Sequence, residues 1–136
     1  VLAGGINQGS QEALIDKGVI CTGRTKTFED LVALYQHASV FCNPTMADNF
    51  PTTNIEALAS GTPIVTFNTG GSPEAIDDTT GIVVKQGDLD GLRNGIIDVV
   101  ENKDLYSRTN CINRSKLFSN LQYNKYVDLF HSMKIS

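Results

Sequence analysis

Along the chain, short apolar runs that end in glycine or polar turn residues alternate with longer segments of helical period. This is the pattern of repeated strand-helix units around a parallel sheet, whose strands are covered on both faces and so read as apolar runs rather than alternating ones. The strand candidates are Val1-Leu2-Ala3, Val19-Ile20-Cys21, Val40-Phe41-Cys42, Ile64-Val65-Thr66-Phe67 and Ile82-Val83-Val84. Between the second and third, Phe28, Leu31, Val32, Leu34 and Tyr35 recur at helical spacing, which predicts a helix capped by Thr27 and running to about His37. A short helix from about Thr52 to Ser60 is stopped by Gly61 and Pro63, with Ile55, Leu58 and Ala59 toward the core and Glu56 beside that face. Asp88 is placed to cap a helix carrying Leu92, Ile96, Val99 and Val100. A last helix is expected around Leu121 to Met133, where Tyr126, Leu129, Phe130 and Met133 share a face and Phe118 and Tyr123 lie close by. The fold class expected is α/β, a Rossmann-like parallel sheet flanked by helices.

Composition narrows the function classes. At 136 residues, 40% hydrophobic and 19% charged, the chain is expected to form one domain and is neither disordered nor a coiled coil. A net charge of -4 argues against a phosphate-backbone binder, so no nucleic-acid partner is expected. No apolar run approaches the roughly 18 to 20 residues of a membrane span, and a soluble domain is expected. Of the three cysteines, Cys21 and Cys42 sit inside apolar runs, which predicts buried, reduced thiols in a cytosolic chain. Neither His37 nor His131 has a metal ligand at the usual spacing, and no metal is expected. The first strand candidate begins at residue 1 with no turn before it, so an N-terminally truncated piece is expected.

Polar and glycine residues gather where the strands end: Gly4-Gly5, Gly23-Arg24-Thr25, Asn43-Pro44-Thr45 and Asn68-Thr69-Gly70-Gly71. Open α/β sheets bind ligands along that crest, although strand-helix turns use Gly, Asn and Pro for backbone geometry whatever they bind. One segment stands apart. Thr52 and Thr53 open a helix, where N-H groups and hydroxyls suit a phosphate. Asp48 and Glu56, seven residues between them, are expected to line one cleft and to grip sugar and ribose hydroxyls on either side of a diphosphate. Gly70-Gly71-Ser72-Pro73-Glu74 reads equally as a turn into a helix with Ser72 as N-cap and Pro73 at the first position. Asp88 and Asp90 likewise read as helix-start acids rather than a metal pair.

The segment from Asn43 to Pro63 resembles the acid-x7-acid motif of family 4 of the retaining nucleotide-sugar glycosyltransferases, and the likeness continues through Gly61-Thr62-Pro63, Asn68-Thr69-Gly70-Gly71-Ser72-Pro73-Glu74, Thr80-Gly81 and Gly87-Asp88. The resemblance implies a GT-B enzyme, with this chain as its C-terminal, donor-binding half and the acceptor domain absent. It implies that Glu56 accepts from the donor ribose diol and that Asp48 holds a donor sugar hydroxyl. The backbone of Asn49, Phe50 and Pro51, then Thr52 and Thr53, would lie along the sugar and diphosphate. Gly23, Arg24, Thr25 and Lys26 would sit beside the base, with Gly4, Gly5, Gly70, Gly71 and Glu74 as further contacts. The family usually has Glu at the first acid, so Asp48 is a departure that shortens the reach by one methylene.

What the resemblance further implies is sugar transfer with retention, no cofactor and no metal, and a nucleotide-diphosphate sugar as donor substrate. The acceptor would be a glycan or a lipid-linked sugar, met through the N-terminal domain. The Asn-Phe-Pro variety is similar to that of bacterial polysaccharide-building members, which implies a cytoplasmic enzyme at the inner face of the membrane. The family's basic pair comes from a strand-helix unit that has no match before Val1, so these residues alone are expected to be inactive. A nucleotide-sugar epimerase of related fold and a noncatalytic nucleotide-sugar binding module are the alternatives.

Overall fold

The apolar runs fold as parallel strands, most of them displaced slightly from their predicted bounds. In the computed structural model, which describes residues 1–47, 49, 51–118, 130 and 132, they belong to two compact units, Val1–Leu31 and Val32–Ser136.

The first unit holds β1 (Leu2–Ala3), α1 (Gln8–Asp16) and β2 (Cys21–Gly23). β1 and β2 pair in parallel, with Leu2 opposite Cys21. The strand ends are tied by the Gly4 N-H donating to the Gly23 carbonyl at 2.7 Å. Asn7 caps α1, its Oδ1 accepting from the Ser10 N-H at 2.9 Å. That helix has no buried residue and so no apolar stripe to betray it in the sequence. α2 (Phe28–His37) begins in this unit and ends in the next. Thr27 caps it as predicted, accepting from the Asp30 N-H at 3.1 Å.

The second unit holds β3 (Phe41–Asn43), α3 (Thr52–Ala59), β4 (Ile64–Phe67), a 3-10 turn (Ser72–Ala75), β5 (Gly81–Val84), α4 (Leu89–Glu101), α5 (Arg108–Ser115) and a second 3-10 turn (Lys116–Phe118). The strands pair in parallel in the order β3-β4-β5. Phe41 stands opposite Ile64, and Val65 opposite Ile82. Central β4 is buried at every position because helices cover both of its faces. On one face Val65 and Phe67 pack with Leu92, Val99 and Tyr106, flanked by Val40, Cys42, Ile82, Val84 and Ile96. The other face carries Ile64 and Thr66, alongside α3 with its buried Ile55, Leu58 and Ala59. Close approach selects glycine at Gly81, where a Cβ would stand 2.0 Å from the Ile64 carbonyl oxygen.

Several expectations change. Val1 and Ile20 lie outside the strands and are 76% and 65% exposed. Cys21 and Cys42 are only half-buried, and Cys111 alone of the three thiols is buried. Val100 is exposed on α4, while Gly95 replaces it on the buried face, close enough that its Cβ would touch Val65 and Ile82. Ser72 is not a cap: Gly71 holds that place, and the Ser72 side chain turns inward to buried partners. Asp88 does cap α4, accepting from the Gly91 N-H at 2.8 Å. The proposed last helix falls mostly outside the described residues; of it, Phe130 is described as helical and fully packed against the Tyr35 ring at 6.0 Å. Among the described residues no helix is long and apolar enough to cross a membrane.

Candidate active site

The crest of the second unit is built where β3 and β4 end. Pro51 stands at the N-cap of α3 with extended backbone (φ -71°, ψ 114°) and makes no side-chain cap. In the first turn the Asn54 N-H donates to the Pro51 carbonyl at 3.1 Å, and Thr52 and Thr53 are exposed beside the positive end of the helix dipole. The helix ends at Ser60, and Gly61 takes the left-handed conformation (φ +83°) that lets the chain turn back into β4.

Glu56 lies on the second turn of α3, half-buried. Tyr35 from α2 donates its phenolic O-H to Glu56 Oε2 at 3.2 Å. Among the described residues this is the one hydrogen bond to the carboxylate. Tyr35 is itself fixed: its ring meets Phe41 edge-on at 5.3 Å, and the Thr62 hydroxyl donates to its carbonyl. Burial raises the Glu56 pKa above the ordinary carboxylate value, and the Tyr35 hydrogen bond opposes that rise. Burial, then the facing carboxylate, push the Tyr35 phenol far up, so it remains a donor throughout the physiological range. The result is a carboxylate with one oxygen held by a permanent donor.

The predicted residues fall into groups. Gly4 and Gly5 meet Gly23 and Arg24 in the first unit, where a Cβ on Gly5 would lie 3.7 Å from Arg24 Nε. Arg24 and Lys26 are exposed and Thr25 is half-buried. Asn49, Thr52, Thr53 and Gly70 are exposed in the second unit, while Pro51 and Gly71 are buried. Glu74 is exposed, and its carbonyl accepts from Arg114 Nη2 at 3.0 Å. Asp48 and Phe50 lie outside the described residues. Among those described, no three His, Cys, Asp or Glu side chains gather as a metal cluster.

Sequence reasoning missed two supports of this crest. Arg114 on α5 also donates to the Ala75 carbonyl at 3.0 Å and lies 3.7 Å from Asp77, pinning the turn after β4 from behind. Desolvation would raise the Asp77 pKa, yet hydrogen bonds from Thr79 and Thr80 and the Arg114 charge hold it below the usual carboxylate range. Asn54, fully buried in the first turn of α3, joins Asn43 at 2.9 Å and Ser72 at 3.1 Å. Its helical position, one turn before Leu58 on the apolar face, was the available signal.

The fold matches known enzymes. The structure aligns over 94% of this chain and 35% of the other with sucrose-phosphate synthase from Thermosynechococcus elongatus, at TM-score 0.77 and 24% identity. It aligns over 94% and 27% with TarM, at TM-score 0.71 and 17% identity. These likenesses place the parallel α/β architecture with the GT-B glycosyltransferases. In sequence, 57 residues are 44% identical to a D-inositol 3-phosphate glycosyltransferase of Corynebacterium kroppenstedtii, 41% of this chain and 13% of that protein. Another 81-residue match, 30% identical, is to the capsular polysaccharide biosynthesis glycosyltransferase CapM of Staphylococcus aureus, 59% of this chain and 21% of that protein. The chain thus spans about a fifth or less of the length of these curated relatives. The family model described as "Glycosyl transferases group 1" matches residues 5–118. With most of its length inside that match, the chain belongs to the group 1 glycosyltransferases.

Proposed function

We propose that this chain is a nucleotide-sugar donor-binding domain of a longer glycosyltransferase, which transfers a sugar to a glycan or lipid-linked acceptor with retention at the anomeric carbon. The observation that carries the reading is Glu56, fixed by Tyr35 on one oxygen and set one turn into a helix that opens on the exposed Thr52 and Thr53. A carboxylate there accepts from the paired hydroxyls of a ribose. The first-turn N-H groups, with Thr52 and Thr53, face the diphosphate. Negative charge that develops on the leaving nucleoside diphosphate is stabilised by these preorganised dipoles rather than by a metal. Asp48, assigned through the resemblance of its segment to the family's acid-x7-acid motif, holds a hydroxyl of the transferred sugar. Gly23, Arg24, Thr25 and Lys26 are assigned to the base, and Gly70 and Gly71 to the sugar side.

The acceptor domain and the basic pair that family members bring from an earlier strand-helix unit are assigned to the remainder of the longer protein. Without them the 136 residues do not catalyse transfer. The likeness to CapM, named for capsular polysaccharide biosynthesis, supports a role in bacterial polysaccharide synthesis, and a place in the cytoplasm at the inner face of the membrane is part of the same proposal.

The test is sugar transfer by the longer protein that carries these residues, assayed with UDP-, GDP- and ADP-sugars. One donor class is expected to be used, with the anomeric configuration kept in the product. Glu56→Ala is expected to cut kcat/KM for that donor at least a hundredfold with the melting temperature close to wild type. Transfer that is indifferent to Glu56→Ala overturns the assignment.

A further inference from the structure

The ladder between β3 and β4 stops at the pair Asn43 and Thr66. Just there the side chains take over. Thr66 has one hydroxyl proton, and it goes to the Asn43 carbonyl at 2.7 Å. In the 2.8 Å contact between Thr66 Oγ1 and Ser72 Oγ, Ser72 must therefore be the donor. Ser72 Oγ in turn accepts from Asn54 Nδ2 at 3.1 Å, and the same nitrogen donates to the Ser72 carbonyl at 3.2 Å. Since that carbonyl can only accept, the orientation of the Asn54 amide is determined. Its Oδ1 faces Asn43 Nδ2 and accepts from it at 2.9 Å.

The bonds run in one direction, from the Asn43 side-chain amide to Asn54, Asn54 to Ser72, Ser72 to Thr66, and Thr66 back to the Asn43 main-chain carbonyl, so that residue Asn43 itself closes the ring. Asn54, Ser72 and Thr66 are each 0% exposed. Asn43, at the end of β3, is half-buried. Three of the four sit at the base of different crest elements: Asn43 before Pro44-Thr45, Asn54 in the first turn of α3 beside Thr52 and Thr53, and Ser72 directly after Gly70-Gly71, while Thr66 in β4 joins them. Buried polar rings of this kind specify one arrangement, because breaking any link leaves a buried donor or acceptor unmade.

We propose that the Asn43-Asn54-Ser72-Thr66 ring is a positioning device, with Asn54 as its hub, that sets the separation between the α3 N-terminus and the Gly70-Gly71 turn to the span of a bound nucleotide-sugar. This rests on the donor-site reading above. Asn54, Thr66 and Ser72 are sealed from solvent, so their effect is on donor affinity through geometry and not on the chemistry of transfer.

The experiment compares Thr66→Val with Thr66→Ser in the longer protein, using whichever of the UDP-, GDP- or ADP-sugars the wild type turns over. Valine keeps the shape and deletes the hydroxyl; serine keeps the hydroxyl. The expected result is a donor KM raised about tenfold in Thr66→Val, kcat within about twofold, acceptor KM unchanged, and recovery of most of the donor KM in Thr66→Ser. A purely structural hydroxyl would lower the melting temperature of Thr66→Val and leave donor KM where it was, and that overturns the proposal. Should Thr66→Val not fold, Ser72→Ala cuts the next link while keeping the Asn54 bond to the Ser72 carbonyl, and its donor KM decides in the same way. Glu56→Ala is run alongside. If it abolishes donor use while donor KM ignores the ring variants, the ring proposal alone fails; if transfer is indifferent to Glu56→Ala, the donor-site reading fails and the ring proposal with it.

Discussion

Glu56 shows how a single carboxylate is prepared by its neighbours. Burial disfavours its charged form, and the Tyr35 O-H recovers part of that cost by donating to it. The net effect is a raised pKa, so between about 4.3, the ordinary glutamate value, and the raised folded value the native state binds a proton that the unfolded chain has released. With more protons bound in the native state, stability falls as pH rises through that window. Glu56→Gln removes the titration. Denaturant unfolding of wild type and Glu56→Gln from pH 4 to 7 is therefore expected to show wild type losing stability relative to the variant as pH rises. Parallel pH curves would mean that burial does not raise the Glu56 pKa beyond what the Tyr35 hydrogen bond recovers, contradicting a net rise.

Among the elements, α3 is positioned from both ends. Its start is held by Asn54, and its end by Gly61, where a Cβ would stand 2.3 Å from Arg108 Cγ of α5. Gly61→Ala therefore meets two separate obstacles, a left-handed backbone (φ +83°) costing about 1 to 2 kcal/mol and a collision with Arg108. The second can be relieved. In a double-mutant cycle, Gly61→Ala is expected to lose less stability in an Arg108→Ala background than in wild type, with the left-handed cost remaining. Equal losses in both backgrounds would show that the α3-α5 contact yields freely. The sequence announced this helix well, because Gly61 and Pro63 stop it and the apolar positions recur at helical spacing. α1 was silent for the opposite reason, having no buried side. α5 was silent too: Cys111 and Ser115 are its buried residues, and neither looks apolar enough to mark a stripe.

At the scale of the whole molecule, strand alternation and crest composition were readable from the chain, and the parallel order β3-β4-β5 agrees with them. Long-range polar pairing was not readable. Asn54 and Ser72 are eighteen residues apart, and Ser72 passes as a local cap until the fold brings Thr66 and Asn54 around it. Tyr35 reads as one more apolar position on α2, and only the packed structure shows its hydroxyl on Glu56, twenty-one residues away. The proposed donor-binding role gives these residues a common purpose, the holding of an activated sugar. The measurement that tests this most directly is a thermal-shift panel of UDP-, GDP- and ADP-sugars on the longer protein and its Glu56→Ala variant, since a ligand that binds only the folded state raises its midpoint. The account predicts that one nucleotide class raises the wild-type midpoint and that the rise is largely lost in Glu56→Ala. No rise with any class at millimolar ligand, or a rise that Glu56→Ala keeps in full, would contradict it.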